Sequence, residues 1–118
     1  MNSIVLVALG GSLGAVLRYG MAQYIGRWPM AFPLSTFLIN LTGSIAMGVL
    51  QNRYRENPQW ILFIGVGILG AYTTFSTFSF ETWNLIRDQK LGLALCYSLG
   101  SVGAGVLGVA LAWKLLSP

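Results

Sequence analysis

The chain has 118 residues, of which 55% are hydrophobic and only 8% charged. Soluble domains carry about 25% charged residues, and a chain this short has too much surface for its volume to hide so much apolar area from water. The net charge of +4 comes from basic residues scattered singly between apolar runs, with no patch or interleaved aromatic stripe, which speaks against nucleic acid as a partner and for loop charges beside membrane spans.

The first apolar run extends from about Ser3 to Ile25 and is interrupted only by Arg18. No charge precedes Arg18, so the run lacks the basic start of a secretory signal and is expected to be retained. Gly26-Arg27-Trp28-Pro29 breaks it. A second run, about Pro33 to Leu50, is uncharged and gives way to a polar stretch from Gln51 to Pro58. A third extends from Gln59 to about Ile86 and stops at Arg87-Asp88-Gln89-Lys90. The last covers Leu91 to Leu116. Each reaches the roughly 20 residues that cross a bilayer as a helix. None has a polar face at helical period, and none alternates as a barrel strand would. The expected fold is therefore all-α: four membrane-spanning helices in a single domain, 1–118, with spans at about 3–25, 33–50, 59–86 and 91–116. Trp28, Trp60, Trp83 and Trp113, with Tyr19, Tyr24 and Tyr54, fall near run ends, where amphipathic rings occupy the membrane interface.

Small residues recur at four-residue spacing: Gly10 and Gly14, Ser44 and Gly48, then Gly100, Ala104 and Gly108. Such spacing lets helix backbones approach in lipid. Four spans would place Arg53, Arg55 and Lys114 on one side, and Arg27, Arg87 and Lys90 on the other, with Arg18 nearby. This near-tie gives the positive-inside rule little to act on and predicts insertion in both orientations.

The third run is longer than a span needs, and its middle reads Gly70-Ala71-Tyr72-Thr73-Thr74-Phe75-Ser76-Thr77-Phe78-Ser79-Phe80-Glu81. Gly, Thr and Phe are mediocre helix formers, and hydroxyls can satisfy backbone groups freed where a membrane helix is interrupted. The composition predicts a break between Gly70 and Phe78; a continuous helix with back-bonded threonines is the alternative.

The chain has no histidine and a single cysteine, Cys96, which excludes an internal disulfide and disfavours a zinc or haem site. No nucleophile–base set or phosphate loop points to an enzyme. A proton-coupled exporter would need a carboxylate in the middle of a span, and the only acid within a run is Glu81, near an end. Neutral donors lie mid-membrane instead: Thr36, Asn40, Ser44, Thr73, Thr74, Ser76, Thr77, Tyr97, Ser98 and Ser101. Thr36 and Asn40 share a helix face, as do Tyr97 and Ser101. Donors suit an anion, and so do the positive edges of Phe75 and Phe78. Interhelical hydrogen bonding for Asn40 and plain packing for the phenylalanines are the alternatives.

Taken together, three segments resemble the Fluc (CrcB) family of fluoride channels. They are Gly10-Gly11-Ser12-Leu13-Gly14-Ala15-Val16-Leu17-Arg18-Tyr19, the stretch from Thr36 to Gly48 with Asn40 and Gly43, and Gly67 to Glu81 with its Thr-Thr-Phe-Ser-Thr-Phe core. The resemblance implies a passive, fluoride-selective channel that exports fluoride from a bacterial cytoplasm across the plasma or inner membrane and protects the cell from fluoride toxicity. It also implies an antiparallel homodimer of inverted copies. Phe75 and Phe78 would be pathway phenylalanines, Asn40 a pathway donor with Thr36 one turn earlier, and Tyr97 and Ser101 a polar track on the fourth helix. The family's further serine on that track is Gly105 here, a departure from the pattern. A sodium ion at the dimer interface would be held by the backbone carbonyls of Gly70 and Thr73. Arg18 would lie near a vestibule and attract anions, or snorkel to the interface.

Overall fold

A computed structural model describes residues 2–118. Four helical spans are long and apolar enough to cross a membrane: Ser3–Ile25 (α1), Leu34–Tyr54 (α2), Pro58–Arg87 and Leu91–Leu116. The third span is divided. Residues 58–72 (α3) comprise an α-helical turn, Pro58–Trp60, a π-helical stretch, Ile61–Leu69, and a last turn, Gly70–Tyr72; Ser76–Arg87 forms a separate helix (α4). The final span is α5 (Leu91–Leu116).

Local chemistry explains where several of these elements begin. The Asn2 side chain accepts from the Ile4 N–H and caps α1. Asn57 does the same for Trp60, and Pro58 stands in the first turn of α3, where its missing N–H costs nothing. α2 runs about one turn past the apolar stretch, to Tyr54, because its end already lies where polar side chains meet water. Gln89, with φ of 59°, makes the sharp reversal between α4 and α5.

Packing follows the small residues. α1 lies against α3 at backbone distance. A Cβ at Gly10 or Gly14 would run into the carbonyl oxygens of Phe63 or Ile68, and one at Gly67 would come within 2.8 Å of the Gly10 Cα. α2 lies against α5, where a Cβ at Gly48 would be 2.8 Å from the Val109 oxygen and one at Gly108 would be 2.9 Å from Ile45. Of the spaced small residues, Gly100 departs from the expectation: nothing lies within 4 Å of the position its Cβ would take, and it faces outward. Asn52 joins the ends of α2 and α5, donating to the Trp113 carbonyl at 3.1 Å and to Ser117 Oγ at 2.9 Å. Arg55 stacks over the Trp113 ring. The two ends therefore share one side of the bundle, as four crossings require.

The outer faces carry Ile4, Val16, Leu99, Val106 and Leu115, all more than 60% exposed. That is the expected surface of a protein whose solvent is hydrocarbon, and the chain is a multi-pass membrane protein.

The π-helical stretch was not foreseen from sequence. Gly70 N–H reaches the carbonyl of Gly65, five residues back. Gly65 and Gly67 are both buried, and their missing side chains let the widened turns lie against Leu50 on one side and Gly10 on the other.

Candidate functional site

The break falls at Thr73–Phe75, inside the window expected from composition. Thr73 is extended, with φ of −80° and ψ of 159°, and α4 starts at Ser76. Asn40 holds the gap open from α2. Its Oδ1 accepts from the Thr74 N–H at 2.8 Å, and its Nδ2 donates to the Thr74 carbonyl at 2.9 Å. Asn40 is thus both interhelical glue and a potential anion donor, because an amide carries two N–H groups and only one is used here.

This clamp has a consequence for the neighbouring carbonyls. In a continuous helix the Thr74 N–H would go to the Gly70 carbonyl, four residues back, and the Thr77 N–H to that of Thr73. The first goes to Asn40 instead. The second goes to Thr74 Oγ1, at 3.2 Å. Gly70 and Thr73, the two residues whose carbonyls the family resemblance singles out for a cation, are therefore deprived of their helical donors. The same break leaves the N–H groups of Phe75 and Ser76 without a backbone partner among the described residues, at the positive end of α4.

An open hollow of about 550 Å³ lies against the break. Its wall includes Asn40 and Ser44 from α2, Gly70, Thr73, Thr74, Phe75 and Phe78 from the third span, and Ser101 from α5. Six of the eight sequence-expected pathway and cation residues meet here. No charged side chain lines it, so any ion inside would meet only neutral dipoles. Ser101 Oγ is a buried atom with no partner among the described residues. Phe75 is 79% exposed and precedes α4 rather than lying on it. Its ring centroid is 6.0 Å from that of Phe78.

Thr36 and Tyr97 stand behind Phe78. Tyr97 is fully buried, and its hydroxyl has no hydrogen-bond partner among the described residues. Its ring meets Phe78 at 5.2 Å and Phe32 edge-on at 5.4 Å. Thr36 is buried and donates to Glu81 Oε1 at 2.5 Å. Glu81 lines a second, open hollow of about 200 Å³, together with Phe32 and other residues of the loop after α1 and with the start of α2. Each hollow thus reaches the same aromatic cluster, one at Phe78 and the other at Phe32, with unpartnered or acid-bound hydroxyls beside it. Arg18 lines neither hollow; it is half-buried on α1.

Two features escaped sequence reasoning. The Thr74 hydroxyl works as a helix cap, which a threonine three residues before a helical amide could have signalled. Glu81 was seen only as an acid near a run end, whereas it is tied to Thr36, 45 residues away. Three expected donors are engaged elsewhere: Thr73 Oγ1 and Ser98 Oγ return to the carbonyls of Leu69 and Ala94, and Thr36 Oγ1 donates to Glu81. No group of three or more metal-ligating side chains occurs among the described residues.

Comparison with known proteins agrees with this architecture. A family model described as CrcB-like protein, Camphor Resistance (CrcB), matches residues 5–113. The chain is 42% identical to the fluoride-specific ion channel FluC of Methylobacterium sp. (strain 4-46), covering 98% of this chain and 97% of that one. It is 45% identical to the fluoride-specific ion channel FluC 1 of Moorella thermoacetica, over 86% of this chain and 76% of that one. It is 40% identical to a fluoride-specific ion channel FluC of Thermus thermophilus, over 93% of this chain and 90% of that one. With nearly its whole length matched, including the broken third span and the residues around the hollow, the chain belongs to the CrcB-like family.

Proposed function

We propose that this chain forms a passive fluoride-selective channel in a bacterial plasma or inner membrane, letting fluoride leave the cytoplasm. The observation that carries the reading is the uncharged, donor-lined hollow against the helix break. Fluoride is small and strongly hydrated. A pathway has to replace its water shell yet release it again. The spare Asn40 N–H and the open hydroxyls of Ser101 and Tyr97 serve the first need. Absence of a fixed cation serves the second. The ring edges of Phe75 and Phe78 offer weak positive potential where hydroxyls are lacking. Beyond Phe78, Thr36 is the next residue of the pathway in this reading, its hydroxyl proton held by Glu81, which lines the second hollow. The similarity to proteins named fluoride-specific ion channels supports the choice of anion.

The functional unit in this reading is a homodimer of oppositely inserted copies within membrane lipid. Its supports are the near-equal basic charge of the two sides and the exposure of Gly70 and Phe75 on the face of a single subunit. A sodium ion on the dimer axis would be held by the carbonyls of Gly70 and Thr73 from both copies. Oxygen donors suit a hard cation, and a twofold axis supplies each of them twice. The carbonyls lacking their helical donors fit that role. The ion would supply structural charge between two anion routes.

The test is fluoride release from liposomes containing the purified protein, followed with a fluoride electrode. Rapid, valinomycin-dependent fluoride release with little chloride flux is the expected result. Monodisperse, folded protein that releases no fluoride would overturn the reading.

A further inference from the structure

Several hydroxyl groups in these helices are satisfied by their own backbone. Ser12, Thr42, Thr73, Thr82 and Ser98 each donate to the carbonyl four residues back, at 2.8 Å. That is the low-energy state for a hydroxyl surrounded by hydrocarbon. Ser101 makes no such bond although its Oγ is buried, and Ser44 likewise has no hydrogen-bond partner among the described residues. Both line the larger hollow. Thr77 and Ser79 are also without a side-chain partner among the described residues, but they are exposed and line neither hollow; Ser44 and Ser101 are the open hydroxyls that face the larger one.

Ser44 also stands at a gap in the opposite wall. On α5, Tyr97, Ser101, Gly105 and Val109 follow at four-residue intervals and share a face. The first two present unpartnered hydroxyls. Gly105 has no side chain and Val109 is apolar, so the row of donors on α5 stops after Ser101. A Cβ built at Gly105 would lie 3.4 Å from Ser44 Oγ, at ordinary contact distance. The hydroxyl of Ser44 therefore lies, from α2, in contact with the place that a side chain at Gly105 would occupy from α5. It lies one helical turn beyond Asn40, so donors are spaced along both walls without an interval longer than about one turn, ~5.4 Å.

We propose that Ser44 is a pathway residue of this channel, donating its hydroxyl to the passing anion at the level of Gly105. The inference rests on the fluoride-channel reading above. A strongly hydrated anion that loses its donors for a full turn meets a barrier, and Ser44 removes that barrier where α5 has nothing to offer. The role is specific to a chain in which Gly105 leaves room for it.

The test is fluoride efflux from liposomes holding the full-length protein, for wild type, Ser44→Ala, Ser44→Cys and the exchange Ser44→Ala/Gly105→Ser. Loss of one hydrogen bond to a charged ion predicts an efflux rate about tenfold lower for Ser44→Ala. Ser44→Cys keeps the volume but is a poor donor, and it should be slowed similarly. The exchange variant returns a hydroxyl to the same place from the other helix, and its rate should recover to within about twofold of wild type. Recovery separates a donor role from a packing role, since an added Cβ at Gly105 meets no backbone. Wild-type rates in both single variants would overturn the proposal. So would an exchange variant as slow as Ser44→Ala. A wild-type protein that passes no fluoride would overturn the channel reading itself, so the two failures are told apart by the wild-type trace.

Discussion

Asn40 is the residue on which the break depends. Its carboxamide pairs with both the N–H and the carbonyl of Thr74, groups that hydrocarbon could not satisfy. Replacing Asn40 by Asp keeps an acceptor for the Thr74 N–H but sets an oxygen against the Thr74 carbonyl. It also places negative charge beside the proposed anion route. The expected outcome is a loss of about 1–3 kcal/mol of stability from the unsatisfied carbonyl, read as a lower midpoint of thermal unfolding in detergent, together with fluoride efflux near background. An Asp variant as stable and as conductive as wild type would show that the clamp does not hold the break. The sequence offered Asn40 as either donor or glue, and the geometry makes these compatible, because one of its two N–H groups remains free.

At the scale of elements, the four helices were legible because hydropathy and length alone specify them, and so was the break, because Gly70 to Phe78 is a poor helix former. The π-helical turns of α3 were not. Ile61 to Leu69 reads as an ordinary apolar run, and its widening depends on Gly10 and Gly67 meeting from different helices. Which glycines pack was also beyond spacing: Gly10, Gly14, Gly48 and Gly108 meet a neighbour, whereas Gly11, Gly20 and Gly100 face open space. Gly14→Val should therefore destabilise the folded protein by about 1–3 kcal/mol through overpacking against Ile68, while Gly20→Ala should unfold at the wild-type temperature or above. Equal unfolding temperatures for the Gly14 variant and wild type would mean that α1 is free to move off α3. The cap of α4 gives a second expectation. Thr74→Val removes the oxygen that takes the Thr77 N–H, costs about 1 kcal/mol as a lost cap, and lets that N–H return to the Thr73 carbonyl. If those carbonyls hold sodium, sodium should raise the unfolding temperature of wild type over that in a large organic cation, and the rise should shrink in Thr74→Val. An unchanged sodium effect would remove Thr73 from the site.

For the whole molecule, the distribution of charge matters more than any contact. Asn52 and Arg55 tie the ends of α2 and α5 together, so Arg53, Arg55 and Lys114 share one side of the membrane. Arg27, Arg87 and Lys90 lie at the other ends of the helices, with Arg18 about two turns from its helix end. Neither side has an excess large enough for the charge rule to choose, and a channel made of inverted copies needs that tie. Arg87→Gln/Lys90→Gln should leave an excess on the Arg53 side and fix one orientation, whereas Arg53→Gln/Arg55→Gln should fix the other. None of these four residues lines either hollow, so the changes leave the proposed ion route intact. Each biased chain expressed alone should lose most of its fluoride efflux after reconstitution, because it cannot find an inverted partner. Expressed together, the two should regain it. Full efflux from either biased chain alone would show that opposite insertion is not required, and the two faces of the subunit would then have to assemble in parallel.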